Sequence, residues 1–193
     1  KNSLTKKIAM NKIIFLCFSL LLFNSSSFGQ DGKDRLHVFD NRITPDDPNV
    51  LFYIHKNTNP NAVVYALKID ANNKINSQDP IEVFWRRYQE DGRRKKLAWL
   101  EKTFAFDFKV KPLKGKENTY NFSLIAMKDK KLYATQNKKG EPVVFMTISG
   151  KTAILERIYL MVDDTKRIQS VLSMELFGKD PKTGQLIYEK ILK

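Results

Sequence analysis

The chain has one cysteine, Cys17, and two histidines in 193 residues. A lone Cys excludes a disulfide-stapled scaffold and a Cys-rich zinc module, and two His leave little for a zinc site or a His-based triad. Glycine and proline are sparse at eight and seven, which excludes collagen-like and low-complexity chains. Only one apolar run is long enough to matter, so a multi-pass membrane protein is excluded. Acidic residues are outnumbered by basic ones, 21 against 34, for a formal charge of +13. With 42% apolar and 28% charged residues, the composition is globular rather than disordered.

The first residues read as an address. Residue 1 is Lys, and Met10 is the expected initiator, with Asn11 and Lys12 as a short positive flank. Ile13–Phe23 is an apolar stretch of 11 residues, interrupted only by Cys17 and Ser19. It is shorter than the roughly 20 residues of a membrane helix but fits a secretory signal. Ser27 and Gly29 supply the small residues a signal peptidase reads, so cleavage is expected after Gly29. A lipoprotein would need its Cys at the end of the run, whereas Cys17 sits in its middle; an uncleaved anchor stays open. Residues 1–29 are thus expected to be a signal peptide, and 30–193 a single exported domain, periplasmic or extracellular. The segment removed holds four lysines and no acid, leaving +9 and no Cys. Such a chain must rely on its own core, and one of this size buries roughly 68–70% of its unfolded surface.

Along 30–193 the dominant period is two. Ile81, Val83 and Trp85 fall on one face of Ile81–Tyr88, and Tyr120, Phe122, Leu124 and Ala126 on one face of Thr119–Met127. Further β-branched and aromatic runs are 50–55, 62–69, 106–110, 131–135, 143–149, 153–162, 170–177 and 186–192, with Leu36–Phe39 as a short first strand. Turn residues separate them at 70–74, 90–92, 114–116, 139–140 and 178–184. One stretch has helical spacing, Leu97, Leu100 and Phe104. The spacing predicts an all-β domain, an antiparallel meander of about ten strands closing as a barrel or stacking as a sandwich, with one short helix near 96–104. In Ala153–Val162, Ile154, Ile158, Leu160 and Val162 alternate with Leu155, Tyr159 and Met161. Apolar residues on both faces mean either two covered faces or a lumen for an apolar ligand.

Charge is unevenly spread. Residues 30–85 carry net −2, 86–139 carry +10 and 140–193 carry +1. The densest part is Arg86, Arg87, Arg93, Arg94, Lys95 and Lys96, interleaved with Trp85, Tyr88 and Trp99. These nine are the candidate ligand-binding residues, because arginine pairs with phosphate or carboxylate while aromatics stack on planar or sugar faces. Nucleic acid is the usual partner of such a stripe, but export points instead to anionic glycans or lipid phosphates. The competing reading is a solvated, solubilising face.

Motifs for chemistry are mostly missing. Asp70–Lys74 starts like a calcium loop but has Ile75 where Gly belongs and Ile81 where a bidentate Glu is needed, so it reads as a hairpin turn. Asp46-Asp47 and Asp163-Asp164 are weak ligand pairs, and His37 and His55 have no neighbouring ligand. There is no nucleophile elbow, phosphate loop or dinucleotide fingerprint, and no metal or cofactor is expected. Glu82, Asp107, Glu156 and Glu175 lie in or beside predicted strands and could serve a carboxylate-based hydrolase if two met.

Asn61–Leu67, Pro80–Trp85 and Leu97–Ala105, with Glu175–Gly178, Thr183-Gly184 and Glu189–Ile191, give the chain a family likeness. It resembles exported Bacteroidota proteins grouped as domain of unknown function 4833 over most of residues 50–192. Where that family is expected to show Ala-Tyr-Gly, this chain has Ala105-Phe106-Asp107. The resemblance implies export and a compact domain and supplies no catalytic residues. The leading expectation is an envelope-associated binding module for an anionic partner, with an apolar-ligand carrier and a carboxylate hydrolase as alternatives.

Overall fold

The computed structural model describes residues 42–165 and 170–193. The expected signal segment with Met10, Cys17 and Gly29, the short strand at Leu36–Phe39, and His37 lie outside the described residues.

Among the described residues eleven strands form. In chain order they are β1 (Val50–Lys56), β2 (Asn59–Leu67), β3 (Ile81–Arg86), β4 (Arg94–Lys96), β5 (Phe108–Pro112), β6 (Tyr120–Leu124), β7 (Leu132–Gln136), β8 (Pro142–Ile148), β9 (Lys151–Asp163), β10 (Ser170–Lys179) and β11 (Leu186–Leu192). Between β4 and β5 a single α-helical turn, α1 (Trp99–Glu101), runs into a π-helical turn at Lys102–Phe106. The all-β expectation with one short helix holds. The strand missed by periodicity is β4, whose three residues, Arg94, Lys95 and Lys96, are all exposed and basic. It forms because the Glu90–Gly92 turn folds it back on β3, pairing Lys96 with Phe84 and Arg94 with Arg86.

The strands make one sheet curled into a half-barrel. Its path is β4-β3-β2-β1-β9-β8-β7-β6-β5, with β10 and β11 continuing from the other edge of β9. One pairing departs from a pure antiparallel meander: β1 lies parallel to β9, Tyr53 to Lys56 against Arg157 to Leu160. At 13 residues β9 is long enough to take β8 on Lys151–Ile154 and β1 on Arg157–Leu160 along one edge, while β10 covers the opposite edge. Two four-stranded arms therefore leave β9 side by side and bend together. Rings from both arms meet between them: Phe52 stacks on Tyr65 at 4.6 Å and on Phe122 at 6.0 Å, and Phe108 stands edge-on to Tyr65. The Tyr65 hydroxyl donates to the Phe106 carbonyl at 2.7 Å, so this buried phenol is satisfied.

Period two places the core as expected for Ile81, Val83 and Trp85 of β3 and for Tyr120, Phe122 and Leu124 of β6, while Val63, Tyr65 and Leu67 of β2 face the same core. The opposite face of this arm buries a smaller cluster of Ala62, Val64, Ala66 and Phe84. In β9 the strict alternation fails: Leu155 joins Ala153, Ile158 and Leu160 in the main core, while Tyr159 packs on the other face with Met161. The reason is a bulge. Phe177 pairs with Arg157 and Gly178 with Leu155, leaving Glu156 as the extra residue, which flips the phase of the remainder of the strand. Gly178 belongs to the same device, since a Cβ there would stand 2.6 Å from the Ile154 carbonyl oxygen and 2.9 Å from Ile148 Cδ1. The tight β8–β9 hairpin places Ser149 and Gly150 at φ 48° and 74°, the left-handed pair that a two-residue turn favours. Asp70–Lys74 is a turn, with Asp70 Oδ1 accepting from the Asn72 and Lys74 amides.

Gly178→Ala is expected to destabilise the fold by about 1–3 kcal/mol, because the nearest obstacle is backbone rather than a flexible side chain. A lowered urea midpoint with unchanged far-UV circular dichroism would bear this out, and an unchanged midpoint would contradict it.

Candidate functional site

The nine sequence candidates separate into three groups. Trp85 is buried in the main core, edge-on to Phe106, and its indole Nε1–H donates to Glu101 Oε2 at 2.9 Å. Tyr88 packs against the small outer cluster, where burial pushes its phenol up. Neither ring is an open stacking platform.

The four arginines are each held by a carboxylate. Arg86 grips Asp47 with both Nε and Nη2 and also donates to the Gly92 carbonyl, and its hydrogen bond to Asp47 raises its pKa further. Arg87 and Arg93 share Glu90, whose carboxyl is lowered first by the bond from Arg87. Arg94 pairs with Glu82 at 2.5 Å and lies 3.7 Å over the Phe84 ring. The exposed pairs of Arg87, Arg93 and Arg94 contribute little stability, whereas the Asp47 side chain is buried against Arg86; together they offset part of the local positive charge. Lys95, Lys96 and Trp99 form the third group, exposed at the end of this hairpin.

Where β3 and β4 of one arm approach β5 of the other lies a groove of about 620 Å³. Ile81, Val83, Phe84, Leu97 and Phe108 give it apolar walls, and Lys68, Asp79, Glu82, Arg94, Lys96 and Lys102 its charges. Lys68 is bound to Asp79 and Arg94 to Glu82. Lys96 and Lys102 have no ion pair among the described residues. The groove is thus an apolar hollow with two uncommitted ammonium groups. Volume and lining fall within the range of small-molecule sites. Of the sequence candidates only Arg94 and Lys96 line it. Lys68, Leu97, Lys102 and Phe108 were missed because they come from a turn, a linker, a helical turn and another arm, with no linear signature linking them.

A second array lies on the outward face of β1, β9, β10 and β11. Register aligns His55 with Tyr159 and Glu175, and Tyr53 with Arg157, Phe177 and Tyr188. His55, Arg157, Tyr159, Glu175, Phe177 and Tyr188 are all buried. Tyr188 donates to Glu175 Oε2 at 3.1 Å, and the Arg157 guanidinium lies 4.5 Å over Phe177. Of the carboxylates singled out in the sequence, Glu82 pairs with Arg94, Glu156 pairs with Lys179 at 2.5 Å, and Glu175 takes this buried place. Among the described residues no three His, Cys, Asp or Glu side chains group as metal ligands.

His55 is 1% exposed, and neither ring nitrogen has a hydrogen-bond partner. Desolvation first, then Arg42 and Arg157, lower its pKa from 6.5 to about 4. The fold therefore holds the neutral imidazole, while the unfolded chain takes up a proton below its own value. Stability from this residue is complete above pH 6.5 and drains away as pH falls to about 4, a loss of about 3 kcal/mol over the interval. His55→Leu is expected to remove this pH dependence, so that the parent's urea midpoint falls relative to the variant's as the buffer is acidified from pH 6.5 to about 4. Parallel pH profiles would refute the assignment.

No curated protein and no solved structure matches the chain. One family model does, over residues 52–190, which runs from within β1 to within β11 and takes in both the groove and the buried array. The chain thus belongs to the family described as a domain of unknown function, DUF4833.

Proposed function

We propose that this protein is an exported binding module whose groove takes an amphiphilic anion, a molecule with an apolar body and a phosphate or carboxylate head. The observation that carries the reading is the pairing, in one hollow, of five apolar walls with Lys96 and Lys102, while the neighbouring cations are already neutralised. A ligand head would find two free donors rather than compete with internal carboxylates, and its body would leave water against Ile81, Val83, Leu97 and Phe108. The apolar stretch Ile13–Phe23 followed by Ser27 and Gly29 supports export.

An added peptide strand is a poorer occupant. The edges flanking the groove carry the residues that blunt strand addition: Arg94, Lys95 and Lys96 on β4, and Lys109, Lys111 and Pro112 on β5. A hollow of about 460 Å³ between Tyr133, Phe145, Thr119, Thr135 and Lys116 favours an anionic sugar as a second reading, because aromatic faces and hydroxyls suit a pyranose ring.

Decyl phosphate is a suitable probe. It is expected to bind by titration calorimetry more weakly as salt rises, and the Lys96→Glu, Lys102→Glu double variant to bind about tenfold more weakly or worse. Equal affinity in parent and variant would refute the site.

A further inference from the structure

The linker that supplies Leu97 and Lys102 to the groove also carries two adjacent exposed apolar residues. Trp99 is 72% exposed and Leu100 is 60% exposed, side by side on α1. The acid of this turn is directed inward: Glu101 Oε2 accepts from the buried Trp85 indole and from the Ala98 amide. Within four residues of the pair in sequence, Lys95, Lys96 and Lys102 are all exposed. A soluble surface has no reason to collect an indole and a leucine on one short turn flanked in sequence by exposed lysines. A bilayer interface has one, because indole settles at headgroup depth, leucine enters the acyl boundary, and each lysine gains from anionic lipid.

We propose that the Trp99–Leu100 turn docks the protein on a membrane surface bearing anionic headgroups. The exposed lysines on either side of the turn select that partner over a second copy of this chain, whose own turn would bring like charges together. Docking stands on the turn alone. That the groove then draws its ligand from the bilayer rests on the amphiphile reading above. Leu97 and Lys102 flank the turn and line the groove, so a docked turn holds the groove mouth beside the headgroups.

The two indoles separate cleanly, since Trp85 is buried and Trp99 is not. With the full chain and mixed phosphatidylcholine–phosphatidylglycerol vesicles, tryptophan emission is expected to shift to the blue and to be quenched by brominated acyl chains. Trp99→Phe should abolish both changes, and Lys95→Glu should raise the anionic lipid needed about tenfold. Leu172→Ala, an exposed leucine elsewhere, should change nothing. Emission unaffected by vesicles, or shifting only with protein concentration as self-association would make it, overturns docking. Trp99→Phe should leave decyl phosphate binding in solution intact. If vesicles quench Trp99 while decyl phosphate does not bind, docking stands and the groove reading falls; the reverse pattern overturns docking and spares the groove.

Discussion

The parallel contact of β1 with β9 is the constraint on which the rest depends. Parallel neighbours need a long connection, and here nearly the whole domain is that connection. β9 is the last strand to join either arm, and it fixes both: β8 pairs with its first residues and β1 with the middle of the same edge. Because the arms start adjacent on one strand, sheet twist brings their inner faces together, and Phe52, Tyr65, Phe108 and Phe122 fill the space between them. The groove is what remains where the arm ends do not close.

The same geometry explains how a strongly basic middle third is handled. Folding β4 back on β3 puts Glu82, Glu90 and Asp91 among the arginines, and Asp47 reaches in from the segment before β1. Charge that is concentrated in sequence is dispersed into ion pairs in space. What stays uncommitted is lysine, at the hairpin end and along the helical turn. This suits the chemistry, because a bidentate guanidinium holds an internal carboxylate well while a lysine on a flexible stem stays available to ligands.

On its other face the sheet accepts a cost. Phe177, Tyr159 and Tyr188 cluster there, and His55, Arg157 and Glu175 are buried on the same face. Buried polar groups of this kind must be neutral or matched by partners. His55 takes the neutral route, which makes acid the condition under which this face works against the fold. Lys56, next in the chain, points to the core side instead, 5.6 Å from both Trp85 and Phe106, where burial lowers its pKa against the raising field of Glu101.

Much of this fold could be read directly from the chain. Alternation in β3 and β6 marks which side chains face the main core, since a pleated strand sends neighbours to opposite faces. The Asp70–Lys74 turn follows from side-chain oxygens that cap their own backbone. Local chemistry is enough for such features because their partners lie within a few residues. The phase change at Glu156, the strand made of Arg94, Lys95 and Lys96, and the parallel β1–β9 contact depend on partners far away in sequence. The candidate site divides the same way. The sequence by itself determined that cations and aromatics crowd residues 85–99 and that the chain belongs among β-rich, cysteine-poor domains. Only tertiary structure decided which of those cations are already taken, that Trp85 is core while Trp99 is surface, and that Leu97, Lys102 and Phe108 share one hollow, because charge compensation and concavity arise between segments that meet only when the sheet curls.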